Sequence, residues 1–352
     1  MTATSSRDSL LALFLRFLRF GFLAWGGPVA QIAMIKRELV EEEGWVDSAR
    51  FNRLLAVYQA LPGPEAHELC VHFGMMKGGR IGGLLAGLGF MLPGFVLVLA
   101  LAWLYQRLDL DQPMLAALFL GVQIGVVALI VRAVHRIADH ALHKPWLWAI
   151  AMASAAAAAF WPTSGAPAIA TGAAATAGVL ALFWSGLKAG LLTFGGAYTA
   201  IPFVRADAVG RGWVSEGQFL DSLAFSGIIP APLIIFATFV GYIAGGLAGA
   251  LAITAGIFLP AFAMTLVFYD RLERVIDNDQ LHRFLEGVAA AVVGLIAVTA
   301  VQLGRGVAAS APSLPAAILI FAAGLASLYS WRSNLAIPAV VLGSGIAGLL
   351  AF

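Results

Sequence analysis

The sequence predicts an all-α polytopic membrane protein: two inverted-topology repeats with broken helices and about 10–11 transmembrane segments. Three observations carry this reading. Hydrophobic residues make up 61% of the chain and charged residues 11%, with a mean hydropathy of +0.91. The chain says one unusual thing twice, since Phe22–Pro64 and Leu191–Pro232 share Gly-Gly, Gly-Trp-Val and Pro-x-Pro in the same order. These shared motifs are backbone breakers set inside apolar sequence, which a membrane tolerates only where they are buried in protein or line a polar cavity.

The same composition excludes other classes. A net charge of +2 without a basic tail gives no footprint for nucleic acid. One cysteine, Cys70, excludes an internal disulfide framework and a Cys-based zinc cluster. No cofactor or metal is expected. The glycines at four-residue spacing (Gly74, Gly78, Gly82; Gly241, Gly245, Gly249) lack the strand and the GK[ST] of a phosphate loop and read as close helix packing. The polar start, Met1–Ser9, has no signal-cleavage pattern, so the first apolar segment is expected to stay as a helix.

The first repeat is expected over 9–163, with segments at 9–40, 48–76, 81–106, 114–138 and 145–162. The second is expected over 164–331, with segments at 166–209, 215–244, 247–269, 284–304 and 314–330, followed by an extra C-terminal helix within 332–352. The correspondence runs on from Leu92-Pro93-Gly94 to Leu259-Pro260-Ala261, from Gly121-Val122 to Gly287-Val288, and from Pro167 and Gly172 to Pro338 and Gly343. Basic residues in short loops mark the cytoplasmic side. Lys77 and Arg80 have no basic counterpart in the second repeat, whereas Arg271, Arg274 and Arg283 face an acidic-leaning loop in the first. Arg132, Arg136 and Lys144 stand against Arg305 alone, and Arg332 stands against a charge-free loop at 161–165. Opposite phase means inversion, and inversion needs an odd number of crossings, which five satisfies. The loop from Lys36 to Arg53 mixes bases with Glu38, Glu41, Glu42, Glu43 and Asp47, so the first two segments either span or re-enter.

The breaks are where chemistry is expected. Pro28 after Gly26-Gly27 suits the first position of a new half-helix, as do Pro64 after Pro62-Gly63 and Pro232 after Pro230-Ala231. Each half-helix start offers free N–H groups and a positive dipole end, together a site for an anion. The opposing reading makes each proline a structural kink. The expected binding residues are Gly26, Gly27, Pro28, Gln31, Pro62, Gly63, Pro64, Gly195, Gly196, Thr199, Pro230, Pro232 and Arg205. Arg205 is preferred among nearby bases because it stands with Asp207 after a long apolar run. Glu65, Glu68 and His72 share a helix face, with His67 pointing elsewhere; all four are expected to handle protons. The acids have no counterpart in the second repeat, where Leu233 and Phe236 stand. The opposing reading pairs them with Lys77 or Arg80 at the interface. His67-Glu68-Leu69-Cys70-Val71-His72 has one residue too many for a zinc HExxH helix, so a membrane-embedded hydrolase is not favoured. An anion channel is the other competing class.

Trp25-Gly26-Gly27-Pro28, Gly44-Trp45, Leu61-Pro62-Gly63-Pro64-Glu65, Leu92-Pro93-Gly94, Thr193-Phe194-Gly195-Gly196 and Gly212-Trp213 together resemble the chromate ion transporter family in its two-domain long form. The resemblance covers nearly the whole chain. It implies a multi-pass carrier of the bacterial inner membrane, not an enzyme. It also implies export of chromate as a proton-driven antiporter, competition by sulfate, and a homodimer as a candidate assembly. Trp25 replaces the family's usual Phe, and Gln31 stands where many members place a His, which puts the preferred anion and its coupling in question.

Overall fold

The computed structural model describes residues 9–109, 112–160, 177–194, 196–268, 279–331 and 333–352. Arg271, Arg274, Arg332, the 161–165 loop, Pro167 and Gly172, which enter the charge and repeat comparison, lie outside them. Among the described residues the chain is helical and has no strand. The first repeat contains α1 (Leu10–Leu23), α2 (Pro28–Ile35, continued by a π turn over Lys36–Glu42), α3 (Ser48–Ala60), α4 (Glu65–Tyr105), α5 (Pro113–Ala141) and α6 (Pro145–Phe160). The second contains α7 (Val179–Leu191), α8 (Ile201–Ala208, entered through a 3-10 turn over Ala197–Ala200), α9 (Glu216–Ile228), α10 (Phe236–Phe268, entered through Leu233–Ile235), α11 (Asp279–Ser310) and α12 (Leu314–Ser330). The extra helix is α13 (Ala336–Ala351). Among the described residues, four helices are long and apolar enough to cross a membrane.

Two of these long helices are hairpins. A straight helix would hold Gly74 and Gly82 about 12 Å apart, yet a Cβ on Gly74 would lie 2.5 Å from the Gly82 carbonyl. The chain turns at Gly79, whose φ of 63° suits glycine. In α10 the turn falls at Gly245-Gly246, and Gly241 meets Gly249 in the same way, at 2.6 Å. Glycines at this spacing let the arms touch backbone to backbone, and they end the expected segments near 76 and 244.

In each repeat the first helix lies along the hairpin's second arm. Gly82 meets Leu13, Gly89 meets Phe14 and Leu18, and Gly21 meets Phe90 and Pro93. In the second repeat Gly186 meets Ile253 and Gly190 meets Ile257. At about 21 Å, α1 is too short to cross a hydrocarbon core of about 30 Å by itself. The repeats exchange their ends: α6 packs on α11, while α12 and α13 pack on α5. Around this core the surface is apolar, with Leu11, Met114, Met152, Phe160, Leu180, Leu319 and Leu350 all exposed, which suits lipid rather than water. Trp213, a candidate interface anchor by position, is instead buried beneath Arg211, because the Gly212 turn folds it inward.

Candidate functional site at the helix breaks

The first break forms as the sequence predicts. Gly26 and Gly27 hold φ of 85° and 78°, which other residues adopt at a cost of about 1–2 kcal/mol. Pro28 is the first residue of α2. At the second break the prediction needs correction. Pro64 is not the first helical residue but the N-cap: it stays extended at φ −80° and ψ 108°, and Glu65 opens α4. Its carbonyl accepts the amides of His67 and Glu68 at 2.9 and 3.1 Å, so the proline serves as an acceptor cap. Pro232 likewise caps the short 3-10 turn at Leu233 instead of opening an α-helix. Gly195 lies outside the described residues, and its neighbour Gly196 holds φ at 122°.

The four breaks meet, and they meet reciprocally. Gln31 Nε2, beside the first break of repeat one, donates to the Ala231 carbonyl at the second break of repeat two, at 2.8 Å. Conversely the Gly63 amide donates to the Thr193 carbonyl at 2.9 Å. Gly94 packs on Ala231, and its counterpart Ala261 packs on Gly63. These are long-range ties between equivalent positions. Between the breaks lies a cavity lined by Gly26, Gly27, Tyr198, Ser226, Gly227 and Ala231. Its volume of about 10 Å³ is room for about one water, so the centre is closed in this conformation.

The polar residues sort into two groups. Gln31 spends both amide N–H groups, on Ala231 and on the Ala24 carbonyl at 3.0 Å. Thr199 turns its hydroxyl back to the Gly196 carbonyl at 2.7 Å. Arg205 is tied to Glu216 at 2.7 Å and to Gln302 at 2.8 Å, so in this conformation it fastens α8 to α9 and α11. Glu65, His67 and Glu68 are different. All three are buried, and among the described residues Glu65 Oε2, both Glu68 oxygens and both His67 ring nitrogens have no hydrogen-bond partner. The Glu68 carboxyl presses on Gly63, where a Cβ would come within 2.9 Å, and Glu65 lies beside Gly196. His67 sits between Phe258 and Phe262, with ring centroids at 4.9 and 4.7 Å. His72 diverges from it and bonds Tyr58 through Nδ1 at 2.8 Å. The interface pairing considered for the two acids does not occur: Lys77 lies over the Trp45 ring instead, at 4.6 Å.

One buried acid escaped the sequence reading. Asp221 on α9 accepts from Tyr105 at 2.7 Å and from Gln123 at 2.9 Å, joining α9 to α4 and α5. The signal was present, since a lone carboxyl inside Phe219–Phe225 is rare in a membrane helix. Tyr105→Phe leaves one oxygen of this carboxyl short of a donor. We expect it to destabilise the protein by about 1–3 kcal/mol, read as a lower melting temperature in detergent; an unchanged melt would mean that the bond contributes nothing.

Comparison with known proteins is consistent with this geometry. The family described as "Chromate transporter" matches twice, over residues 11–179 and 180–349. The chain is 57% identical to the chromate transport protein of Pseudomonas aeruginosa, covering 97% of this chain and 92% of that protein. It is 30% identical to a probable chromate transport protein of Synechococcus elongatus, over 97% and 95% of the two chains. It is 29% identical to the chromate transport protein of Cupriavidus metallidurans, over 99% and 95%. No solved structure matches. With two family repeats, several apolar helices and relatives that are transport proteins rather than enzymes, this multi-pass membrane chain belongs to the chromate transporter family, in its long two-domain form.

Proposed function

We propose that the chain is a secondary transporter that exports chromate, or a related tetrahedral oxyanion such as sulfate, across the bacterial inner membrane. The observation that supports this reading is the reciprocal meeting of the breaks, with Gln31 on Ala231 and Gly63 on Thr193. Backbone N–H groups at Val29, Ala66 and Leu233 are the donors an oxyanion would take there. A centre with room for one water suits an occluded state of a carrier rather than an open channel. Reciprocal contacts also support a two-fold relation between repeats, and opposite loop charge supports inversion. Rocking one repeat against the other then opens the centre to each side in turn.

Glu65 is the proton-coupling residue in this reading, with Glu68, His67 and His72 around it. A charged carboxyl about 4 Å from a dianion would cost about 4 kcal/mol per unit of anion charge at an effective dielectric of about 20. A proton on Glu65 removes that repulsion, so proton and anion bind together rather than in turn, and a co-transport cycle replaces the antiporter expected from resemblance. Export remains favourable. A dianion leaving with one proton still carries one negative charge outward, worth about 2.3 kcal/mol per 100 mV of inside-negative potential. One pH unit opposes it by about 1.4 kcal/mol. The test is uptake of chromate and sulfate into inverted membrane vesicles with an imposed potential. We expect saturable chromate uptake that sulfate competes for, and flux that is linear with concentration and indifferent to sulfate would overturn the carrier.

A further inference from the structure

The path by which the anion reaches the closed centre is marked on α5. Ala128 and Leu129 of that helix pack with Ile337 in one cluster, against which Tyr198 rests, and Leu129 also lies against Gly227. Tyr198, Gly227 and Ile337 line the central cavity. Arg132 follows Ala128 by four residues and Arg136 follows by four more, so all three share one face. They stand about 6 and 12 Å further along the helix, towards its end at Ala141. Neither arginine has a carboxylate partner among the described residues. The nearby acid Asp139 pairs with His135, at 3.5 Å. Like charges one turn apart repel, and no carboxylate among the described residues offsets them. An anion in transit would.

We propose that Arg132 and Arg136 form an entry ladder that draws an oxyanion from one membrane face and passes it to Tyr198 and the central cavity. The proposal rests on the oxyanion-carrier reading above. A planar guanidinium donates paired hydrogen bonds to oxyanion edges, and two rungs about 6 Å apart let the ion move between them without full rehydration. Loop charge assigns this end of α5 to the cytoplasm, the side from which an exporter loads.

The test uses the full-length protein in inverted vesicles, with chromate as the probe. In the wild type, chromate uptake should lose affinity as potassium chloride is raised, because steering by exposed charge is screened. In R132Q/R136Q we expect the apparent KM to rise about 10-fold at low salt with little change in maximal rate. We also expect its salt dependence to flatten. R132K/R136K should retain the salt dependence, which separates charge from folding. Arg107→Gln, which alters an arginine stacked 3.6 Å from the Trp103 ring, should leave KM unchanged. An unaltered KM in the double glutamine variant would overturn the ladder. So would a defect that anionic phospholipid content alone governs, since the arginines would then be headgroup anchors. No chromate flux in the wild type would instead overturn the carrier reading itself.

Discussion

Gly63→Leu is expected to abolish transport, and Pro64→Ala to leave it within a few-fold of the wild type. Gly63 holds φ at 150°, which strains any side chain, and a Cβ there would come 2.9 Å from the Glu68 carboxyl and 3.0 Å from Ala261. Backbone strain of about 1–2 kcal/mol adds to overpacking of about 1–3 kcal/mol, and both fall where the Gly63 amide reaches Thr193. Pro64 is extended at φ −80°, a conformation alanine adopts freely, and the cap it provides is a carbonyl that alanine keeps. Gly79→Ala separates strain from site. Its φ is 63°, but nothing lies within 4 Å of the added Cβ, so it should lower the melting temperature modestly and spare transport. Vesicle uptake normalised to protein, with melting curves for all three variants, reads the order. If Gly63→Leu transported normally, close backbone approach at the second break would have no role in transport.

The breaks were legible because their chemistry is local. Gly-Gly-Pro and Pro-Gly-Pro state a backbone conformation without reference to anything distant, and Gly26, Gly27, Gly63 and Gly196 adopt it. The hairpin turns at Gly79 and Gly246 fall in the gaps expected between segments 48–76 and 81–106 and between 215–244 and 247–269, although the glycines there read only as close packing. What joined the breaks was not legible. Gln31 meets Ala231 across 200 residues, and no periodicity announces such a pair. Polar residues were harder still, because one side chain serves opposite ends depending on its neighbours. Arg205 stood out by isolation, yet its neighbours in space are Glu216 and Gln302. Arg132 and Arg136 read as topology markers because a loop-charge rule ignores which helix face a base occupies. Glu65 and Glu68 were recognised as unequal between the repeats, and that inequality gains weight once both are seen buried against the breaks, with Glu65 Oε2 and both Glu68 oxygens unpartnered among the described residues.

Glu65→Gln is expected to make transport independent of pH and to double its sensitivity to membrane potential. On the proposed co-transport cycle, the dianion is admitted when Glu65 carries a proton and repelled when it is charged. Apparent affinity should therefore strengthen as pH falls and weaken as pH rises, by up to tenfold per unit where one proton is bound with each anion. Glutamine is neutral at every pH, so the slope vanishes, and the affinity stays near the wild type's low-pH value because the amide replaces the protonated carboxyl in size. The charge moved changes as well. With a proton, each cycle moves one net negative charge, worth about 2.3 kcal/mol per 100 mV; without it the dianion moves two, worth about 4.6. Vesicles clamped by potassium and valinomycin at several potentials measure the second quantity, and uptake at pH 6, 7 and 8 measures the first, with affinity expected to weaken at each step. Glu68→Gln serves as the comparison. Its carboxyl lies behind Gly63, away from Gly196, so it should shift affinity without removing the pH slope. Should Glu65→Gln keep both the pH slope and the single-charge response, the proton is carried elsewhere and Glu65 has no part in coupling. If Glu68→Gln alone abolishes them, the coupling carboxyl is the one against the second break.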